Sequence, residues 1–276
     1  MREFFIDGFR TRWRVRLLNF DDPLAERFPP ASDGGQPSAD LEITYFKDKN
    51  RFIEEKLKKG RLGESVLEEK EYGASYFLGT DRDRGSVACF FEKGLPFSFV
   101  LARGVDTSFL TFQDRIDVIF LHSSSVIVGG KAYLFVAPDE GGKSTVYNLA
   151  REKGYAGMDD DSCVVKKSGG RYYAQTYPFH FLPGWGAEEK EIAGLYFLER
   201  SNTNRIKSIS RIEALRRAVP ETERLFDSVI PPEETGSHRK HIFNFLDSMF
   251  DKVSFNLLYF KKDPELFTWL LEGSKI

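Results

Sequence analysis

A nine-residue segment near the middle of the chain constrains the fold more than any other feature. Residues 137–145 read Ala-Pro-Asp-Glu-Gly-Gly-Lys-Ser-Thr. An apolar run, Tyr133–Val136, precedes them, and a segment of helical composition, Val146–Lys153, follows and ends at Gly154. A strand, a glycine-containing loop and a helix in this order are typical of a phosphate-binding loop. The alternative is a Gly-Gly turn that leads into an unrelated helix.

The chemistry of such a loop predicts roles for its residues. Consecutive backbone N–H groups and the positive end of the following helix surround an oligophosphate. The side chain of Lys143 would reach the terminal phosphates, and the hydroxyl of Ser144 would ligate Mg²⁺. Ala137 occupies a position where a glycine eases a tight turn, so the motif is imperfect. The predicted nucleotide-binding residues are Ala137, Glu140, Gly141, Gly142, Lys143, Ser144 and Thr145.

The strand before the loop is predicted to form one arm of a hairpin. Ser123–Val128 and Lys131–Val136 are both β-prone, and Gly129-Gly130 separates them, which favours an antiparallel turn. Helical or strand spacing recurs later, at Ile212–Phe226, His241–Phe250 and Val253–Phe260. The sequence therefore predicts an α/β fold that leans towards α+β, with mixed β-sheets around the helix that follows the loop.

The bulk composition excludes several classes of protein. The 276 residues carry a net charge of -2 with a pI near 6.2, so no basic excess favours nucleic acid or an anionic membrane surface. Cys89 and Cys163 are too few for a disulfide framework, and no Cys/His pattern predicts zinc. Residues 1–10 lack the apolar core of a signal peptide, and no apolar window approaches the ~20 residues of a membrane span. We expect a cytoplasmic protein, and formation of a homo-oligomer stays open.

Two further sites could supply chemistry next to the loop. Asp159, Asp160 and Asp161 follow a short apolar segment, and adjacent carboxylates repel one another unless a cation such as Mg²⁺ binds. One carboxylate could hold the metal, and another could accept the proton of an attacking hydroxyl. His122 precedes the hairpin and could face a phosphate group. The plain alternatives are a solvated acidic turn and a structural histidine.

Together, these three sites resemble the catalytic domain of HPr kinase/phosphorylase and its relatives. In that family a histidine lies about fifteen residues before the loop, and an Asp-Asp pair begins seventeen residues after the loop lysine. Here His122 is fifteen residues before Ala137, and Asp160 is seventeen residues after Lys143, with Asp161 next to it. The resemblance implies a fold shared with phosphoenolpyruvate carboxykinase. It is specific over about residues 115–165, and the family's N-terminal domain is not recognisable. We expect a single domain over residues 1–276, in which the strand pattern predicts a β-rich portion at 1–105, followed by a P-loop core with C-terminal helices at 106–276.

The resemblance further implies an ATP- and Mg²⁺-dependent transfer of phosphate to a hydroxyl. The acceptor would be a serine of a protein or peptide, or a small molecule. Asp160 would be the base, Asp161 and Ser144 would lie on the metal side, and His122 and Lys143 would face the phosphate. The family's later segment, with a further catalytic Glu and a substrate-side Arg, is not recognisable in this chain. A catalytically inactive nucleotide-binding sensor or scaffold is therefore the alternative function.

Overall fold

The structure, a computed structural model, divides by its internal contacts into two compact units. It describes residues 2–8, 11–18, 39–46, 65–71, 74–81, 86–92, 95, 104, 113, 117–176, 189–224 and 235–273. One unit comprises Met1–Ile116, Pro178–Gly186 and Val229–Thr235. The other comprises Asp117–Tyr177, Ala187–Ser228 and Gly236–Ile276 and contains the predicted loop. The predicted boundary between residues 105 and 106 lies outside the described residues.

The first unit contains a six-stranded mixed sheet. Its strands are β1 (Arg2–Gly8), β2 (Thr11–Leu18), β3 (Ala39–Phe46), β4 (Ser65–Glu71), β5 (Ala74–Asp81) and β6 (Ser86–Glu92). They lie in the order β1-β2-β3-β6-β5-β4. Strand β3 pairs in parallel with β2 and β6, and the other pairs are antiparallel. Aromatic residues join neighbouring strands, since Tyr76 of β5 stacks on Phe91 of β6 with ring centroids 5.4 Å apart.

The second unit supplies the remaining strands and the helices. Its strands are β7 (Val118–Leu121), β8 (Ser123–Val128), β9 (Lys131–Val136), β10 (Ala156–Asp159), β11 (Cys163–Ser168), β12 (Arg171–Thr176), β13 (Glu189–Arg200), β14 (Arg205–Ser208) and β15 (Ser254–Phe260). The helices are α1 (Lys143–Glu152), α2 (Arg211–Glu223), α3 (Thr235–Met249) and α4 (Leu266–Gly273), and the first residue of α3, Thr235, falls in the first unit. The predicted helical segments therefore cover α2 from its second residue onward and the second half of α3, and the predicted closing strand contains β15.

The strands of this unit form a mixed sheet that curls. Seven lie in the order β10-β8-β9-β13-β12-β11-β7, and β15 pairs with β13 and β14 off this path. Strand β13 is parallel to β9 and β15. A single residue, His122, joins β7 at one end of the order to β8 near the other end, so the two ends of the sheet approach each other. The fold belongs to the predicted α/β class, with a curled mixed sheet and few helices.

The predicted hairpin is confirmed. Strands β8 and β9 pair in antiparallel register from Ser123 opposite Val136 to Val128 opposite Lys131. The turn glycines have φ values of 58° and 78°, which residues without a Cβ adopt readily. On its other edge β9 pairs in parallel with β13, a neighbour that the local pattern does not indicate. The strand that leads into the loop therefore has one antiparallel and one parallel neighbour.

Helix α1 is anchored to the sheet through an apolar cluster. Val146, Leu149 and Ala150 of α1 are buried in the same cluster as Phe135 of β9 and Phe267 of α4. This burial excludes water from apolar surface and fixes the start of the helix at the end of β9. No helix in the described part of the chain combines the length and the apolarity needed to cross a membrane.

Candidate functional site

Two short connections meet where the ends of the curled sheet approach each other. The first is His122, between β7 and β8, and the second is residues 160–162, between β10 and β11. Because β11 pairs with β7 and β10 pairs with β8, the two connections lie side by side. The curl therefore brings His122 against Asp161, although 39 residues separate them in the chain.

The three adjacent aspartates occupy different places in this turn. Asp159 is 6% exposed, and its Oδ1 accepts hydrogen bonds from the backbone N–H groups of Asp161 and Ser162, each at 3.0 Å. An Asp that accepts from the backbone two residues on closes an Asx turn. Asp161 is thereby directed at His122, whose Nε2 lies 3.2 Å from its Oδ1. Asp160 is exposed, and no hydrogen bond or ion pair joins it to another described side chain.

Buried serines of β8 connect the sheet to both halves of the site. The Oγ of Ser124 donates to the carbonyl of Lys143 at 3.1 Å, which ties β8 to the first residue of α1. The Oγ of Ser125 accepts from the N–H of Asp159 at 3.1 Å, which ties β8 to the acidic turn. Both serines are fully buried. A polar run inside a buried strand is the sequence signal for this role, and the hairpin prediction left it unused.

His122 is held between carboxylates. It is 4% exposed, its Nδ1 donates to Oε2 of Glu221 at 2.7 Å, and its backbone N–H donates to the carbonyl of Glu221 at 3.1 Å. Its Nε2 lies 3.5 Å from Oδ1 of Asp139, besides the contact with Asp161. Burial lowers the pKa of His122, but the hydrogen bonds to Asp161 and Glu221 outweigh burial and raise the pKa above 6.5. The hydrogen bond from His122 in turn lowers the pKa of Asp161, although partial burial opposes it.

The loop between β9 and α1, residues 137–142, folds back on itself. The N–H of Gly141 donates to the carbonyl of Pro138 at 3.0 Å. The Nζ of Lys143 donates to the carbonyls of Ala137 at 2.9 Å and Pro138 at 3.3 Å. Burial lowers the pKa of Lys143, and two nearby carboxylates oppose this effect. The ammonium group is therefore held on the loop by neutral carbonyl oxygens, contacts that an anionic ligand could replace.

The first turn of α1 is open to an anion. Gly142 precedes the helix with a φ of 107°, and no side chain caps this end. The N–H of Val146 donates to the carbonyl of Gly142 at 2.9 Å, so the N–H groups before it have no acceptor within the helix. The first turn contains no acidic residue that would neutralise the positive end of the helix dipole. These are the features by which helix N-termini bind phosphate.

A cavity of about 480 Å³ lies in front of this helix start, a volume within the range of small-molecule sites. Two residues outside the predicted site, Asp139 and Arg200, line it. The other lining residues are six of the predicted site residues: Glu140, Gly142, Lys143, Ser144, Thr145 and Asp161. His122 adjoins the cavity through Asp139 and Asp161. Ala137 and Gly141 belong to the loop but not to the lining, and Asp160 lies outside the lining.

Three further residues at the site were not indicated by the sequence. Glu221 of α2 binds His122, Arg224 just after α2 forms an ion pair with Asp139 of the loop, and Arg200 ends β13 at the cavity. Glu221 is 99 residues from His122, and Arg224 is 85 residues from Asp139. No short-range pattern predicts such pairs, because they depend on how α2 and β13 pack.

Protein ligands alone do not form a metal centre in the described part of the chain. No group of three or more His, Cys, Asp or Glu residues is arranged there to hold a metal ion. The hydroxyl of Ser144 and the carboxylate of Asp161 do line the same cavity. Mg²⁺ commonly takes one or two protein oxygens, several waters and the phosphate oxygens of a substrate. The donor set therefore fits Mg²⁺ together with a phosphate ligand.

Comparison with known proteins finds similar chains among solved structures alone. No family model and no curated protein matches the chain. Among solved structures, the Hpr(Ser) kinase/phosphatase from Coxiella burnetii aligns with this chain at 12% identity and a TM-score of 0.26. The alignment covers 34% of this chain and 71% of that chain. A similarity of this extent supports no inference about activity.

Proposed function

We propose that the chain is an ATP- and Mg²⁺-dependent phosphotransferase of the HPr kinase-like type, with the fold shared by that family and phosphoenolpyruvate carboxykinase. The acceptor would be a hydroxyl of a protein, a peptide or a small molecule. The observation that supports this most directly is that one cavity contains Lys143, the open start of α1 and the Asp161 carboxylate paired with His122. Phosphoryl transfer depends mainly on positioning and on neutralisation of charge, which such groups provide.

Each group at the cavity has a distinct part in this proposal. The N–H groups of the first turn of α1 bind phosphate oxygens, and Lys143 exchanges its loop carbonyls for them. Ser144 and Asp161 would hold Mg²⁺, which neutralises charge on the oligophosphate when bound. Asp161 is ionised at neutral pH, and the hydrogen bond from His122 moves its pKa further below neutrality. Glu221 keeps the imidazole of His122 in place by contacts to its ring and its backbone.

The base in the proposal is Asp160, which would accept the proton of the acceptor hydroxyl. Its carboxylate is exposed next to Asp161, so an acceptor arriving from solvent can reach it. Asp160 nevertheless lies outside the lining of the cavity. This observation favours the second candidate function, a nucleotide-binding module that performs no transfer.

Binding of ATP with Mg²⁺ is tested by calorimetry on wild type and Lys143→Ala. Loss of a charge-assisted contact to phosphate should weaken binding roughly 10- to 100-fold. The matched control is Lys131→Ala, which removes an exposed lysine at the opposite end of β9 and should bind as wild type does. Unchanged affinity of Lys143→Ala would count against both candidate functions.

Transfer is tested with labelled ATP and a broad panel of hydroxyl acceptors. The phosphotransferase proposal expects transfer by wild type and a loss of at least about 100-fold in Asp160→Asn, the range ascribed to general bases. ATP affinity should change little in that variant. If wild type binds ATP but phosphorylates no acceptor, the non-catalytic module is the correct reading.

A further inference from the structure

Arg200 lies beside the loop at residues 137–142, because β13 extends further than its parallel neighbour β9. Phe197 of β13 is opposite Val136, the last residue of β9, so β13 continues three residues, about 10 Å, beyond β9. Arg200, its last residue, is opposite Phe260 of β15, whose ring abuts Gly142 of the loop. The carboxyl ends of parallel strands are where ligands bind in open α/β sheets.

Arg200 also differs from the other cation that lines the cavity. Lys143 is buried and bonded to loop carbonyls, whereas Arg200 is exposed. No ion pair or hydrogen bond joins the side chain of Arg200 to any other residue in the described part of the chain. The carboxylate next to it in sequence, Glu199, is occupied by Arg217 at 2.7 Å. Arg200 lines the cavity, and its guanidinium is therefore available to a ligand.

We propose that Arg200 binds the second phosphate of a phosphate chain and so determines which phosphate ligands the site selects. The start of α1 and Lys143 suffice for one phosphate group. A guanidinium presents its donors in a planar fork that matches a further phosphate group. Pyrophosphate and the phosphate chains of ADP and ATP contact both Lys143 and Arg200, whereas inorganic phosphate contacts Lys143 alone. This inference rests on one part of the proposed function, the binding of a phosphate group at the loop, and does not require phosphoryl transfer.

The test compares affinities by calorimetry in the presence of Mg²⁺, with ATP, pyrophosphate and inorganic phosphate as the probes. Arg200→Ala should weaken pyrophosphate and ATP roughly 10- to 100-fold and inorganic phosphate little. Arg200→Lys should lie between the two proteins, because it keeps the charge and loses the fork. The matched control is Arg216→Ala, which removes an exposed arginine of α2 outside the cavity lining and should bind as wild type does.

The possible outcomes separate this inference from the proposed function. One outcome is that wild type binds ATP and that Arg200→Ala has the same affinity as Arg216→Ala for every probe. Arg200 then does not bind the second phosphate, and the proposed function stands. Equal weakening of pyrophosphate and inorganic phosphate overturns selection by a second phosphate. Weakening of ATP alone overturns it too, since Arg200 would then contact the nucleoside. If wild type binds none of the probes, both proposals fail. A thermal melt of Arg200→Ala checks that the variant is folded.

Discussion

The methyl group of Ala137 faces the backbone of Gly141, since a Cβ built on Gly141 would lie 2.5 Å from the Cβ of Ala137. Ala137 is buried in the apolar cluster under α1. Among the described residues, only Asp117 and Glu140 have a positive φ without being glycine, so Ala137 has an ordinary backbone conformation. The loop therefore accommodates a side chain at its first position because Gly141 has none. The substitution that makes the motif imperfect is thus not a sign of a distorted loop.

His122 makes the stability of the folded protein depend on pH. The direction of this dependence follows from the carboxylates of Asp161 and Glu221, which raise the pKa of His122. Its pKa is raised, so its contribution to stability is complete below pH 6.5 and is lost as the pH rises through the folded-state value. The pKa of Asp161 is lowered, so its contribution is complete above pH 3.8 and is lost as the pH falls through the folded-state value. We expect the stabilisation by this pair to be greatest between pH 3.8 and 6.5.

Urea unfolding at a series of pH values, with EDTA and without nucleotide, measures this dependence. The difference in unfolding free energy between wild type and His122→Gln should shrink as the pH rises above 6.5. Asp160→Asn, which changes the neighbouring exposed carboxylate, should keep the wild-type dependence. A constant difference between wild type and His122→Gln from pH 5 to 9 would contradict the expected role of the ion pair.

At the scale of elements, the start of α1 packs directly on the end of β15. A Cβ on Gly142 would overlap the ring of Phe260, and the φ of 107° at Gly142 is itself strained for any other residue. Gly154, just after α1, has a φ of 85° but nothing within 4 Å of an added Cβ. Gly154→Ala therefore measures backbone strain alone, about 1–2 kcal/mol. Gly142→Ala should cost a further 1–3 kcal/mol or so from overpacking.

The free energies of unfolding of the two glycine variants are compared by urea unfolding. The additional loss of stability in Gly142→Ala should be accompanied by weaker binding of phosphate ligands. A double variant with Phe260→Leu should recover part of that additional loss, since a smaller side chain removes the overlap. Equal losses for Gly142→Ala and Gly154→Ala would mean that the ring of Phe260 yields freely. The close packing of α1 on β15 would then not hold the loop in place.

Elements that are local in the chain could be predicted, and pairings between distant strands could not. The β8–β9 hairpin and helix α1 follow from periodicity and from the glycines at 129–130 and 154. The parallel pairing of β9 with β13 and the approach of β7 to β8 depend on contacts across long stretches of chain. The site divides in the same way. The loop and the spacing of His122 and Asp161 are visible in the sequence, whereas Glu221 reaches His122, and Arg200 reaches the cavity, only through folding.

At the scale of the whole molecule, the residues around the cavity all belong to one of the two compact units. A ligand that binds only the folded state stabilises it by about 2.7 kcal/mol at a concentration of 100 times Kd. We expect this stabilisation in the unit that contains the cavity, because the other unit contributes no described residue to the lining. Hydrogen exchange with and without ATP and Mg²⁺ measures it segment by segment.

Exchange should slow most at the loop and at the start of α1, where N–H groups would donate to phosphate. It should also slow in β9 and β13, whose amides exchange through opening of the same unit. Strands β1–β6 should exchange at unchanged rates, and Lys143→Ala should show clearly less slowing than wild type at the same ATP concentration, because its weaker binding leaves less stabilisation. Equal slowing in both units would contradict the expectation that the ligand stabilises only the unit that contains the cavity, since the whole chain would then open as one cooperative body. Slowing confined to β1–β6 would place the ligand in the other unit and remove the cavity from consideration.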